Sequence, residues 1–129
     1  MLSKKDILDC QDIVTETVFV KEWGGEVRIK TLTGTEKDAW ESSLVDDKKR
    51  DTKSALANIR AKLCSYSLVD EAGNRMFGDT EVARLGEKSS KALDRIFDKA
   101  RKLSGIGKDD VEELAKNSNG GQSENSTSL

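Results

Sequence analysis

Residues 18–44, VFVKEWGGEVRIKTLTGTEKDAWESSL, constrain the fold more than any other stretch, because strand, glycine turn, strand and capped helix follow one another without a break. Val27, Ile29 and Thr31 alternate with Arg28 and Lys30, the period of two expected of a strand that buries one face. Gly24-Gly25 stands just before that run, where a hairpin needs permissive backbone. Thr35 and Asp38 have the spacing of a capping box, with Asp in place of the usual Glu or Gln, and Ala39, Trp40 and Leu44 follow at helical intervals. The pattern predicts an opening hairpin with a helix packed back onto it.

Upstream, Ser3 is the predicted N-cap of a short helical turn over residues 3–9, with Ile7 and Leu8 as its apolar contribution. Residues 13–20 form the predicted first strand, in which Val14, Val18 and Val20 share a face with Glu16, so that one edge of that face meets solvent. Downstream, residues 46–51 carry both signs of charge and read as a solvated loop. Thr52 then caps the central core helix, whose stripe runs through Leu56, Ile59, Leu63 and Tyr66 and is widened by Ala55. It stops near Leu68, before a turn in which Gly73 or Asn74 takes positive φ, and the flanks 67–69 and 75–77 suit a small second hairpin.

Asp79 is the predicted N-cap of a helix over 80–85 that Gly86 ends. Ser89 or Ser90 starts the longest late helix, with Leu93, Ile96, Phe97, Ala100 and Leu103 on one face and Gly105 after it. A last helix follows Gly107, with Asp109, Asp110, Glu112 and Glu113 at its positive end, Lys116 at its negative end, and Val111 and Leu114 as anchors. Residues 117–129 contain one apolar side chain, Leu129, and cannot offset the entropy of ordering. The chain therefore reads as α+β: a predominantly helical small domain over 1–116 with an N-terminal β-hairpin, followed by a disordered polar tail.

A chain of 129 residues buries roughly 65% of its unfolded surface, enough for one domain without metal or disulfide. Because charged residues make up 36% and aromatics only 5%, the core must be aliphatic. The 22 basic and 24 acidic residues are interleaved and give no basic face, so no nucleic-acid partner is expected. Cys10 and Cys64 belong to no CxxC or zinc spacing and read as free thiols of a reducing compartment. The first ten residues lack a signal-peptide core, and no run approaches the ~18 apolar residues of a membrane span, so a soluble, intracellular protein is expected.

Candidates for chemistry are few. The absence of histidine removes the commonest general base and metal ligand. Asp46-Asp47 and Asp109-Asp110 are adjacent pairs, which do not face one another as a shared-proton dyad would. Asp70 and Gly73 hint at a calcium loop, and Glu81 lies near the place of its closing bidentate Glu, but Arg75 and Met76 stand where ligands belong, leaving a plain turn. Gly24-Gly25 and Gly105-Ile106-Gly107 lack the residues of a phosphate loop, and Cys64 lacks a His partner and reads as a half-buried, inert thiol. No catalytic residue, cofactor or metal is expected. Trp23 beside Gly24 and Gly25 is the one interaction candidate: either an exposed anchor for another subunit or a side chain packed over the following helix.

The order Asp6-Ile7-Leu8, Val18-Phe19-Val20, Glu22-Trp23-Gly24-Gly25, Val27-Arg28 and Leu32-Thr33-Gly34 resembles the small tail assembly chaperones of long-tailed (siphovirus-type) bacteriophages and prophages. The resemblance continues through Leu68-Val69-Asp70, Gly73-Asn74-Arg75, Phe77, residues 85–89 and Leu103-Ser104-Gly105, and it fails only in the tail. It implies a non-enzymatic protein of the host bacterial cytoplasm that binds the tape measure protein before the tail tube polymerises around it. It further implies that this chain is the shorter product of a programmed ribosomal frameshift, whose longer product contacts the major tail protein. Covering a long partner calls for weak self-association. A tail completion or head-tail joining protein that stays in the virion is the alternative.

Overall fold

The chain is described by a computed structural model covering residues 1–46, 52–111 and 113, without the side chains of 45–46 and 52–57. Thr15–Val20 forms β1 and Gly25–Lys30 forms β2, antiparallel from Thr15↔Lys30 to Val20↔Gly25. The predicted strand over 13–20 is trimmed at its start. There the Val14 N–H donates to the Thr31 hydroxyl (3.1 Å) instead of a main-chain carbonyl, and the regular ladder ends. Val20 and Ile29 are fully buried on the inner face, and Glu16 at its edge pairs with Lys99 (2.8 Å), so the mixed face inferred from sequence is real.

A two-residue strand, β3 (Leu68–Val69), pairs with β2 and completes a sheet of order β1-β2-β3. The second hairpin predicted over 67–77 is reduced to a Val69↔Arg75 bridge and a Met76 N–H bond to the Leu68 carbonyl (3.1 Å). Its turn forms as expected, with Gly73 at φ 88°. Both the Ala72 and Asn74 N–H groups donate to one Asp70 carboxylate oxygen at 2.9 Å.

Helix α1 (Lys4–Asp9) has the predicted Ser3 cap. Helix α2 (Gly34–Asp46) corrects two expectations. Its capping box is Thr33 with Glu36, not Thr35 with Asp38: the Glu36 N–H donates to Thr33 Oγ1 (3.1 Å) and the Thr33 N–H to Glu36 Oε1 (2.9 Å). The helix begins at Gly34, so Thr35 already lies inside its first turn and Thr33 is left as the cap, with Lys30 pairing with Glu36 there. Nor does α2 lie chiefly on the hairpin. Trp40 and Leu44 are fully buried, the Trp40 Nε1–H donates to the Ile59 carbonyl (3.4 Å), and α2 seats on α3, leaving Ala39 exposed.

The inner face of the sheet is taken instead by α5 (Ser90–Leu103), capped by Ser89 and burying Ala92, Leu93, Ile96, Phe97 and Ala100. This stripe is wider than that of α2, so α5 wins the larger apolar surface. Helix α3 (Thr52–Ser67) is central as predicted: it touches α2, α4 and α5 and buries Ile59, Ala61, Leu63, Cys64, Ser65 and Ser67. The side chains of Ala55 and Leu56 lie outside those described.

The 3₁₀ turn Asp79–Glu81 leads into α4 (Val82–Gly86). Asp79 is not its cap; Glu81 Oε1 accepts from the Gly78 N–H (3.0 Å), while Asp79 is held by Arg75 (2.9 Å). Gly86 does not take positive φ and ends α4 where an added Cβ would meet the Ala61 Cβ of α3 at 3.5 Å. Gly105 does end α5 as predicted, at φ 70°, with the Ile106 N–H on the Arg101 carbonyl (2.9 Å). Residues 108–111 are helical, and Asp110 accepts from the Gly107 N–H (2.9 Å). The charge run 47–51, Glu112, Leu114, Lys116 and the tail 117–129 lie outside the described residues.

Candidate functional site

The hairpin turn is a single 3₁₀ turn, Lys21–Trp23, closed by a Gly24 N–H bond to the Lys21 carbonyl (3.2 Å). Gly24 sits at φ 69°, a conformation costly for any residue with a Cβ, whereas Gly25 begins β2 in ordinary extended geometry. Only one glycine of the pair is needed for the turn. Glu22 fixes this turn to α5 through a two-pronged pair with Arg95 (2.7 and 3.1 Å). The Arg95 guanidinium, helped by the main-chain N–H of Glu22 itself, holds that carboxyl down at about 2.

Trp23 is thereby held at the hairpin tip, 37% exposed. It lines a groove of about 480 Å³ with Phe77 and Leu85, and Glu81, Arg84, Glu87 and Lys88 form its rim. No α2 residue lines that groove, so Trp23 does not share it with the helix that follows the hairpin.

Among the described residues the candidates for chemistry are occupied by structural contacts. Burial drives the Cys64 thiol up to about 12, and its S–H points at the Leu93 carbonyl (3.7 Å), so it is more deeply buried than the sequence suggested. Asp70 is spent on its turn. Arg75 donates to the Ser65 carbonyl (2.9 Å) and hydroxyl (3.1 Å) and lies 4.1 Å from the Tyr66 ring centre, a clamp of the core rather than a ligand. Among the described residues no group of three His, Cys, Asp or Glu side chains could hold a metal ion, and no helix is long and apolar enough to cross a membrane.

Sequence reasoning singled out Trp23 but missed Phe77 and Leu85 as its companions, because no periodicity links positions so far apart. Other exposed apolar side chains are Phe19 on the outer sheet face, Met76 at the opposite margin of the sheet, and Met1, Leu2, Ile7, Leu8, Ile13 and Val14 ahead of β1.

The described residues thus form a small α+β domain with an open surface groove at the hairpin turn. The model of the phage tail assembly chaperone family matches residues 5–117, and the chain belongs to that family. No curated protein and no solved structure matches it.

Proposed function

We propose that this chain is a non-enzymatic chaperone that binds the tape measure protein in the host bacterial cytoplasm and is absent from the mature virion. The observation that carries this reading is the family match over residues 5–117 of the 129. The groove that gathers Trp23, Phe77 and Leu85 among charged residues supports it, since apolar grooves bordered by polar residues mark interaction sites. A long helical protein kept without its tube exposes apolar stripes, and several small subunits along it prevent aggregation while leaving stepwise as the tube forms. Trp23, Gly24 and Gly25 form the subunit-contact region, and a frameshifted longer product would link the assembly to the major tail protein.

Co-expression with the tape measure protein tests this. The full chain and a form truncated after Lys116 should both keep it soluble and co-purify with it, and purified virions should contain neither. Presence of the chain at fixed copy number in virions would instead establish a structural tail component.

A further inference from the structure

Every residue from 1 to 15 is exposed, and α1 buries none of its six residues. Yet its local design is complete. The Asp6 N–H donates to Ser3 Oγ (3.1 Å), the Ser3 N–H donates to Asp6 Oδ2 (3.0 Å), and Lys5 pairs with Asp9 one turn on. Leu2 and Ile7 occupy the flanking positions of a hydrophobic staple around that cap. A six-residue helix is too short to persist in water on its own, however well it is capped. Ile7 at 59% and Leu8 at 72% exposure are the side chains that a partner would have to cover.

The same chain carries a matching receptor. The groove floor of Trp23, Phe77 and Leu85 can take two or three aliphatic side chains. Its rim offers Glu81 and Glu87 to Lys4 and Lys5, and Arg84 and Lys88 to Asp6 and Asp9. Within one molecule the two lie apart. The segment bearing α1 leaves the hairpin at the Thr15 end, whereas the groove adjoins the turn at the other end of β1, about 20 Å along a six-residue strand.

We propose that α1 of one molecule seats in the Trp23 groove of a second copy. Arm and groove are different surfaces at opposite ends of the hairpin, so the contact is head-to-tail and leaves a free arm and a free groove at the ends of every assembly. One short helix buries far less than the roughly 800 Å² per partner of a stable complex, so each link is weak and exchanges readily. This deepens the self-association part of the proposed function and does not depend on the tape measure protein as partner.

Sedimentation velocity on the full chain, on a form lacking residues 1–10, and on Leu8→Asp and Trp23→Ala tests it. The full chain should gain mass with concentration, and all three variants should remain monomeric. Leu8 is exposed, so Leu8→Asp probes the contact without disturbing the fold. Mixing the armless form with Trp23→Ala should give a one-to-one complex and nothing larger, because one contributes only a groove and the other only an arm. A fluorescent peptide of residues 1–14 should bind the armless form and lose at least tenfold in affinity for its Trp23→Ala derivative. Self-association that survives arm deletion, a full chain that stays monomeric at millimolar concentration, or a peptide indifferent to Trp23 each overturns the proposal. Co-purification of Leu8→Asp with the tape measure protein, measured alongside, decides the chaperone reading separately.

Discussion

The same chemical change, leucine to alanine, should have opposite consequences at two places in this chain. Leu63 is wholly buried in the core cluster, on the helix that touches α2, α4 and α5. Removing its three outer carbons forfeits roughly 2.5 kcal/mol of transfer free energy. The surrounding helices cannot all close inward at once, so the remaining cavity raises the total to about 3–5 kcal/mol. In a domain of this size about 1 kcal/mol corresponds to roughly 4 °C, so Leu63→Ala should melt at least about 10 °C below the parent. Leu8, at 72% exposure, has no cavity to leave, and Leu8→Ala should stay within about 0.5 kcal/mol. Circular dichroism melts at a few micromolar, where weak self-contacts are dissociated, read both. A Leu63→Ala melt within two degrees or so of the parent would refute the placement of α3. A Leu8→Ala loss as large as that of Leu63→Ala would show that α1 docks on its own domain.

Gly24→Ala should cost about 1–2 kcal/mol through its left-handed backbone, and Gly25→Ala under about 0.5 kcal/mol, compared by urea midpoints. Glu22 has a folded pKa of about 2 against an ordinary 4.5, so its pairing with Arg95 contributes fully above pH 4.5 and is lost as pH falls through 2. Glu22→Gln should therefore flatten the acid limb of stability against pH in that window, and an unchanged limb would count against the pair. A thiol reagent at pH 8 should label the exposed Cys10 within seconds and Cys64, whose pKa is about 12, only on unfolding; equal rates would contradict the burial of α3.

The elements visible in sequence were those whose signal is local. Alternation at Val27 and Ile29, the stripe of α5 and the caps at Ser3 and Ser89 each reside within a few residues, and each appears in the structure. Competing local signals misled: Thr33-Glu36 and Thr35-Asp38 both fit a cap, and the start of α2 at Gly34 leaves only the first in capping position. What depended on the whole chain was hidden. The seat of α2 followed from α5 taking the sheet, and the salt bridge from Glu22 to Arg95 and the grouping of Trp23 with Leu85 join positions more than sixty residues apart. Ile106, buried beyond the end of α5 by the Arg101 contacts, carried no periodic signal at all.

The two margins of the sheet are unequal. Beyond β3 the segment at Arg75 and Met76 already occupies the hydrogen-bonding groups, while β1 has a strand on one side only. A second molecule joining edge to edge could therefore do so only through β1, and two β1 strands that meet leave no margin for a third. Edge pairing through β1 alone would saturate at a closed couple, so an assembly long enough to run beside a filamentous protein would have to grow through two dissimilar surfaces.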